Sequence, residues 1–200
     1  MRYKHRNVAW LRDNARFLMH FVRHPRSTGA VAPSSKWLAD RMVDGMGLAD
    51  ARTVVEIGPG TGAFTSRILR EIGPSTRFMA VELDGEFARD LARRYPRVEV
   101  IHDSAENLGR HLNGGGPADS VLSSLPWAAF PGDLQRRLLR SIVECVRPGG
   151  LFATFAYIHS AWLPVGRRFR AMLAGHFRDV RSTRVVWRNL PPAFVYRCEK

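Results

Sequence analysis

Val8, Leu11, Ala15, Leu18 and Val22 recur at alternating steps of three and four residues, and Trp10, Phe17 and Phe21 widen the same stripe. Residues 7–24 therefore read as an amphipathic helix, with Arg12, Asp13, Arg16, His20 and Arg23 on its other face. Pro25 stops it, the turn-forming run PRSTGAVAPSS follows, and Ser34 or Ser35 can cap a second helix reaching about Met46. From Arg52 the pattern changes. TVVEI, RFMAVEL, VEVIH, DSVLSS and GLFATFAY read as strands, separated by helices over 61–71, 85–94, 105–111 and 132–146. Such alternation predicts a parallel sheet covered on both faces. After a helix around 167–174, DVRSTRVVW and AFVYRCE read as a pair of strands joined through Asn189-Leu190-Pro191-Pro192, which places an antiparallel strand in the sheet. The expected fold class is α/β, a seven-stranded mostly parallel sheet. A helical N-terminal extension over residues 1–50 precedes one domain over 51–200.

Composition narrows this picture. Two hundred residues with 45% hydrophobic content suit one compact domain. No run approaches the roughly 18 to 20 apolar residues of a membrane span, and no apolar segment with a cleavage site follows MRYKHRN, so a cytoplasmic protein is expected. Cys145 and Cys198 are too few for a disulfide framework, and no Cys/His spacing implies a metal. The net charge of +13 lies at the ends: residues 1–30 carry seven cations against Asp13, residues 160–200 carry nine against Asp179 and Glu199, and the remainder holds 15 of each sign. A neutral body with basic flanks points to a polyanionic partner, either nucleic acid or an anionic membrane.

The chemistry concentrates in VVEIGPGTG. A buried strand empties into a turn carrying Gly58, Gly60, Thr61 and Gly62, which lets backbone approach a ligand closely. Its spacing is not that of the dinucleotide fingerprint, and no phosphate-gripping Lys follows. Glu82 ends the second strand 20 residues beyond Gly62, where a carboxylate can accept both hydroxyls of a ribose. Asp103 ends the third and can accept from an adenine amino group. Together these read as an adenosine site without a diphosphate clamp.

In these residues the chain resembles the class I S-adenosylmethionine-dependent methyltransferases over about 50–200, which implies a Rossmann-like sheet and S-adenosylmethionine as cofactor. The resemblance maps the glycine loop onto Gly58, Gly60, Thr61 and Gly62, the ribose acid onto Glu82 beside Leu83, and the adenine acid onto Asp103 with Ser104 and Ala105; Ser124 and Leu125 join the cofactor set. Glu56 would face the glycine loop or the sulfonium end of the cofactor, or serve structurally by bonding turn N–H groups.

Two families share this wording. The ribosomal RNA adenine dimethyltransferases carry an Asn-Leu-Pro-Tyr type element after the fourth strand, where this chain has Ser124-Leu125-Pro126-Trp127, without the Asn that would grip a base edge. Bacterial phospholipid N-methyltransferases are closer, in GAVAPSS after a basic helix, VEIGPGTGAFT, SSLPW and NLPPAFVYR. That resemblance covers nearly the whole chain. It implies a peripheral enzyme of the inner membrane face, methylating phosphatidylethanolamine towards phosphatidylcholine. An RNA adenine N6-methyltransferase is the alternative, and a membrane-binding module without turnover a third.

An apolar-aromatic helix face opposite Arg has the form of an interfacial helix, each cation adding roughly 1 kcal/mol near an anionic leaflet; the same stripe could instead pack as core. The candidate catalytic residues are Tyr157, holding the amine or its methylated cation, and His159, relaying a proton or binding phosphate. Trp127 would add an aromatic wall, and Arg26 and Arg197 are candidate phosphate ligands by their forked geometry, the plain alternative being a solvated charge.

Overall fold

The computed structural model describes residues 34–112 and 115–200. The basic helix expected at 7–24, and Arg26, lie outside the described residues.

Seven strands form one sheet: Thr53–Ile57 (β1), Arg77–Glu82 (β2), Glu99–His102 (β3), Ala118–Ser123 (β4), Val146–Tyr157 (β5), Asp179–Ser182 (β6) and Ala193–Glu199 (β7). Their order is β3-β2-β1-β4-β5-β7-β6. The first five run parallel, and β7 is antiparallel to both β5 and β6. This is the expected sheet, with DVRSTRVVW and AFVYRCE paired. Only its first four residues make a continuous strand; Val186 rejoins through a single bridge to Ala193.

Apolar alternation sorts the layers. Val55, Ile57, Met79, Val81 and Val121 face one side. They meet helix Gly132–Cys145 (α5), through Leu138, Leu139 and Ile142, and helix Pro164–Ala174 (α7), through Phe169 and Leu173. Val54, Phe78, Ala80, Leu122 and Val195 face the other. There they meet Leu38 and Met42 of helix Lys36–Val43 (α1), Ile68 of helix Thr65–Ile68 (α2) and Leu91 of helix Gly85–Arg94 (α3). Ser35 caps α1, its Oγ accepting from Leu38 N at 3.2 Å, and Asp84 caps α3 by accepting from Glu86 N and Phe87 N. A short helix, Leu108–His111 (α4), follows β3, and another, Ile158–Ala161 (α6), follows β5.

Several elements differ from expectation: α1 ends at Val43, short of Met46, and the helix expected over 105–111 is a 3-10 turn, Ala105–Asn107, followed by α4. The helix expected over 61–71 shrinks to α2, because Gly58, Gly60 and Gly62 all have φ between 53° and 79° and the turn closed by Gly62 N on Pro59 O at 2.9 Å holds the chain away from helical geometry. Helix α7 begins at Pro164, earlier than expected, because proline suits the first helical turn, where its missing N–H leaves nothing unpaired.

Candidate active site

From β1 the chain winds outward to β2 and β3, then returns to β4 on the other side. That reversal opens a crevice at the carboxyl ends of β1 and β4, the place where open α/β sheets bind ligands. Gly58 N donates to Val81 O and Ser124 N to Ile57 O, both at 2.9 Å, so the glycine turn is pinned between strand ends. A Cβ on Gly58 would come within 3.1 Å of Leu125 Cδ2, whereas one on Gly60 would meet nothing within 4 Å. The turn is thus close-packed beneath and open above.

Three acids surround it. Glu82 is buried and accepts from Gly60 N through Oε2 and from Asp84 N through Oε1, each at 2.9 Å. Desolvation raises its carboxyl above the usual range, against the pull of these backbone N–H groups. Leu83 follows it, its carbonyl 3.1 Å from His102 Nε2. Asp103 Oδ1 accepts from Ser104 N at 2.7 Å and Asn107 Nδ2 at 2.9 Å, and Oδ2 meets His111 Nε2 at 2.7 Å. Desolvation pushes this carboxyl up, but the bonds from Asn107, His111 and Ser104 together outweigh it and hold it low. A carboxylate oxygen accepts about two hydrogen bonds, so Oδ2 keeps room for one more donor. Ser104 caps the 3-10 turn Ala105–Asn107, in which Ala105 is buried. Glu56 is fully buried; its Oε2 accepts from Thr65 Oγ1 at 2.6 Å, and its Oε1 has no partner among the described residues. Burial pushes its carboxyl up to about 8, with the Thr65 bond opposing and Glu82 adding to the shift.

These residues fit S-adenosylmethionine. Glu56 Oε1 is an orphaned buried acceptor suited to an ammonium, the open space over Gly60 lets a ligand approach the backbone of the turn, Glu82 suits a ribose diol and the spare acceptor of Asp103 suits an amino edge.

Beside Leu125 lies a cavity of about 250 Å³, mostly apolar and aromatic. It gathers Ser124, Leu125, Trp127, Tyr157 and His159, all named from the sequence, and no Asp, Glu, Lys or Arg lines it among the described residues. Tyr157 and His159 stack with ring centroids 5.7 Å apart and planes 8° from parallel, and burial raises the Tyr157 phenol so that it stays protonated. Trp127 is stacked on Phe169 at 4.7 Å, which occupies one ring face, while its Nε1 and Ser124 Oγ are buried without hydrogen-bond partners. The cavity wall therefore holds one buried hydroxyl and one buried N–H without partners, beside the hydroxyls of Tyr157 and Tyr196.

Arg197 is not in this cavity, which corrects the expectation of a phosphate ligand. It stands opposite Ala153, four positions along β7 from the Tyr157–Ala193 pair, and its Nη2 donates to Arg41 O at 3.1 Å and Asp44 Oδ2 at 3.0 Å. Alternation explains the placement: Phe194, Tyr196 and Cys198 face the α5–α7 layer, and Arg197 faces α1. Tyr196 and Phe169, which the sequence reading did not single out, do line the cavity. The period-two pattern of AFVYRCE was the signal that separates Tyr196 from Arg197. Thr65 and His111, the partners of Glu56 and Asp103, carried no local signal.

A family model described as a methyltransferase domain matches residues 54–150. The ornithine lipid N-methyltransferase of Singulisphaera acidiphila is 33% identical over 193 residues, spanning 94% of this chain and 96% of that protein. A ribosomal RNA small subunit methyltransferase A from a Synechococcus strain is 29% identical over 136 residues, 66% of this chain but 44% of that protein. Among solved structures, an O-methyltransferase from Bacillus cereus in complex with SAH superposes with a TM-score of 0.66 at 16% identity, over 92% of this chain and 90% of the other. The last likeness shows the fold.

Proposed function

Because the chain belongs to the class I S-adenosylmethionine-dependent methyltransferases, we propose that it methylates the headgroup amine of a membrane lipid on nitrogen. The finer reading is phosphatidylethanolamine, carried towards phosphatidylcholine at the inner face of the cell membrane, with the basic extension within residues 1–50 holding the enzyme there. The observation that carries the lipid reading is the acceptor cavity: aromatic, apolar, uncharged among its described lining residues, and adjoining the glycine turn through Leu125. The ornithine lipid enzyme, similar over almost its whole length, supports it. Ser124 in place of a base-gripping Asn, and the shorter match to the ribosomal RNA enzymes, weigh against an adenine acceptor.

S-adenosylmethionine supplies a methyl group activated on a sulfonium. Glu56, Glu82 and Asp103 hold and orient it, and the Gly58–Gly62 turn lets the chain approach it. The acceptor amine has to be neutral to attack. A cavity that strips water from an ammonium and offers it no carboxylate lowers its pKa, so Tyr157, Trp127 and their neighbours favour the free amine. The Tyr157 hydroxyl can hold the amine and its ring can face the methylated cation, while His159, stacked behind it, can pass the released proton outward. Catalysis is then a matter of position, holding lone pair and methyl in line, with no covalent enzyme intermediate.

The test is transfer of labelled methyl by the purified protein, with phosphatidylethanolamine, ornithine lipid and ribosomal RNA offered in parallel. Label in lipid is expected, and its identity assigns the headgroup. Label in RNA alone would overturn the reading.

A further inference from the structure

Five large apolar side chains are exposed among the described residues: Trp37, Trp162, Leu163, Trp187 and Leu190. All five gather at the carboxyl end of the sheet. Trp162 and Leu163 follow the turn that ends β5, Trp187 and Leu190 belong to the loop entering β7 opposite Tyr157, and Trp37 stands in the first turn of α1. Hydrogen bonds of 2.9 Å tie these segments together, from Ile158 N to Pro192 O and from Ser35 N to the buried Asn189 Oδ1. The Arg188 guanidinium lies 5.1 Å from the centre of the Trp37 ring. At 73% and 71% exposure, Trp162 and Trp187 are not half-covered core residues. Single exposed apolar residues are ordinary, but their convergence on one end, three of them tryptophan, marks a contact surface.

Charge identifies the partner. Lys36, Arg167, Arg184 and Arg188 are exposed around these side chains, and no carboxylate among the described residues is paired with any of them. Between residues 158 and 193 the only acid is Asp179, which pairs with Arg181 at the opposite end of the sheet. Asp40 and Asp44 of α1 border the Trp37–Trp187 side of the patch, but they are paired with Arg67 and Arg197; tryptophan interleaved with unpaired Arg and Lys is the composition of a lipid headgroup interface.

We propose that the carboxyl end of the sheet docks on an anionic phospholipid leaflet, as a membrane surface of the folded domain itself, and sets the mouth of the acceptor cavity against the bilayer. Leu163 joins the two features, since it both lines the cavity and is exposed at its rim. The rim is firm: a Cβ on Gly166 would fall 2.1 Å from Ser160 O, so α7 lies directly against the α6 turn. A headgroup then reaches Tyr157 from the leaflet without its acyl chains entering water. This inference rests on the lipid reading above and adds the face that meets the membrane.

The test is sedimentation of the full chain with vesicles of phosphatidylcholine alone or mixed with phosphatidylglycerol, run beside methyl transfer to lipid dispersed in detergent micelles. The wild type is expected to bind the anionic vesicles in a salt-sensitive manner. Trp162→Ala with Trp187→Ala should weaken that binding by about tenfold or more, and Arg184→Ala with Arg188→Ala by about fivefold per cation. Both double variants should keep their melting temperature and their micellar activity. Wild-type vesicle binding by the tryptophan variant would overturn the proposal, because residues 1–33 would then carry the binding or cover the patch. If the wild type fails to methylate micellar lipid, the substrate reading falls, and the vesicle titration still decides the surface.

Discussion

Glu56 should couple cofactor binding to a proton. With its carboxyl pushed up to about 8, about nine in ten molecules of the free protein carry it protonated at pH 7. An ammonium brought to the orphaned Oε1 favours the charged form, and an opposite charge at such range lowers a carboxyl pKa by about one to three units. At the larger end of that range binding expels about 0.9 proton at pH 7, and affinity rises about eightfold from pH 6 to pH 7, where a ligand α-amine remains charged. In Glu56→Gln the Thr65 contact can persist but the ion pair cannot. A buried pair couples by about 2–5 kcal/mol, less the 1–2 needed to ionise the acid at pH 7, so the variant should bind about 1–3 kcal/mol more weakly, or about five- to 150-fold. Isothermal titration in two buffers of different ionisation enthalpy counts the protons directly. The free protein gives a second readout. A carboxyl raised on folding stays protonated after the unfolded chain has lost its proton, so stability falls as pH climbs from the ordinary glutamate range towards 8, and Glu56→Gln should flatten that slope. Equal proton release and equal affinity in wild type and variant would refute the coupling.

Four further outcomes are expected. Glu82→Ala removes the acceptor for Gly60 N and Asp84 N and should weaken cofactor binding by at least about tenfold by titration; unchanged affinity would take Glu82 out of the site. Tyr157→Ala should depress kcat while leaving cofactor Kd unaltered, and Tyr157→Phe separates ring from hydroxyl; full turnover by the alanine variant would remove Tyr157 from catalysis. Arg197→Met should lower stability by about 1–2 kcal/mol through loss of its bonds to Arg41 O and Asp44, with kcat/KM intact, and a selective loss of activity would contradict its placement. Asp103 is held below the usual aspartate range, so its contribution to stability is present at neutral pH and lost as pH falls through its folded value; in Asp103→Asn the acid limb of the melting curve against pH should flatten.

The first strands were legible as runs rich in apolar residues that end at candidate site residues, as TVVEI does at the glycine turn and RFMAVEL near Glu82. Short-range pattern also placed the ends of α3, where Asp84 caps and the apolar period stops before Pro96. What the sequence hid was every contact made between distant segments. Asp103 meets His111 across a turn, Glu56 meets Thr65 across the glycine loop, and Trp127 finds Phe169 42 positions away. Arg197 shows the opposite failure. Its neighbours in sequence, Tyr196 and the Pro-Pro element, approach the site, but β alternation turns its own side chain to the other face.

The position of β7 has a consequence for synthesis. It lies between β5 and β6, yet follows both in the chain. During translation β6 emerges with no neighbour to bond, and the free margin of β5 stays open until residues 193–199 have left the ribosome. That half of the sheet cannot be built in the order in which it is made, so a nascent chain halted near residue 185 presents the unsealed backbone edge that chaperones and aggregation both seek.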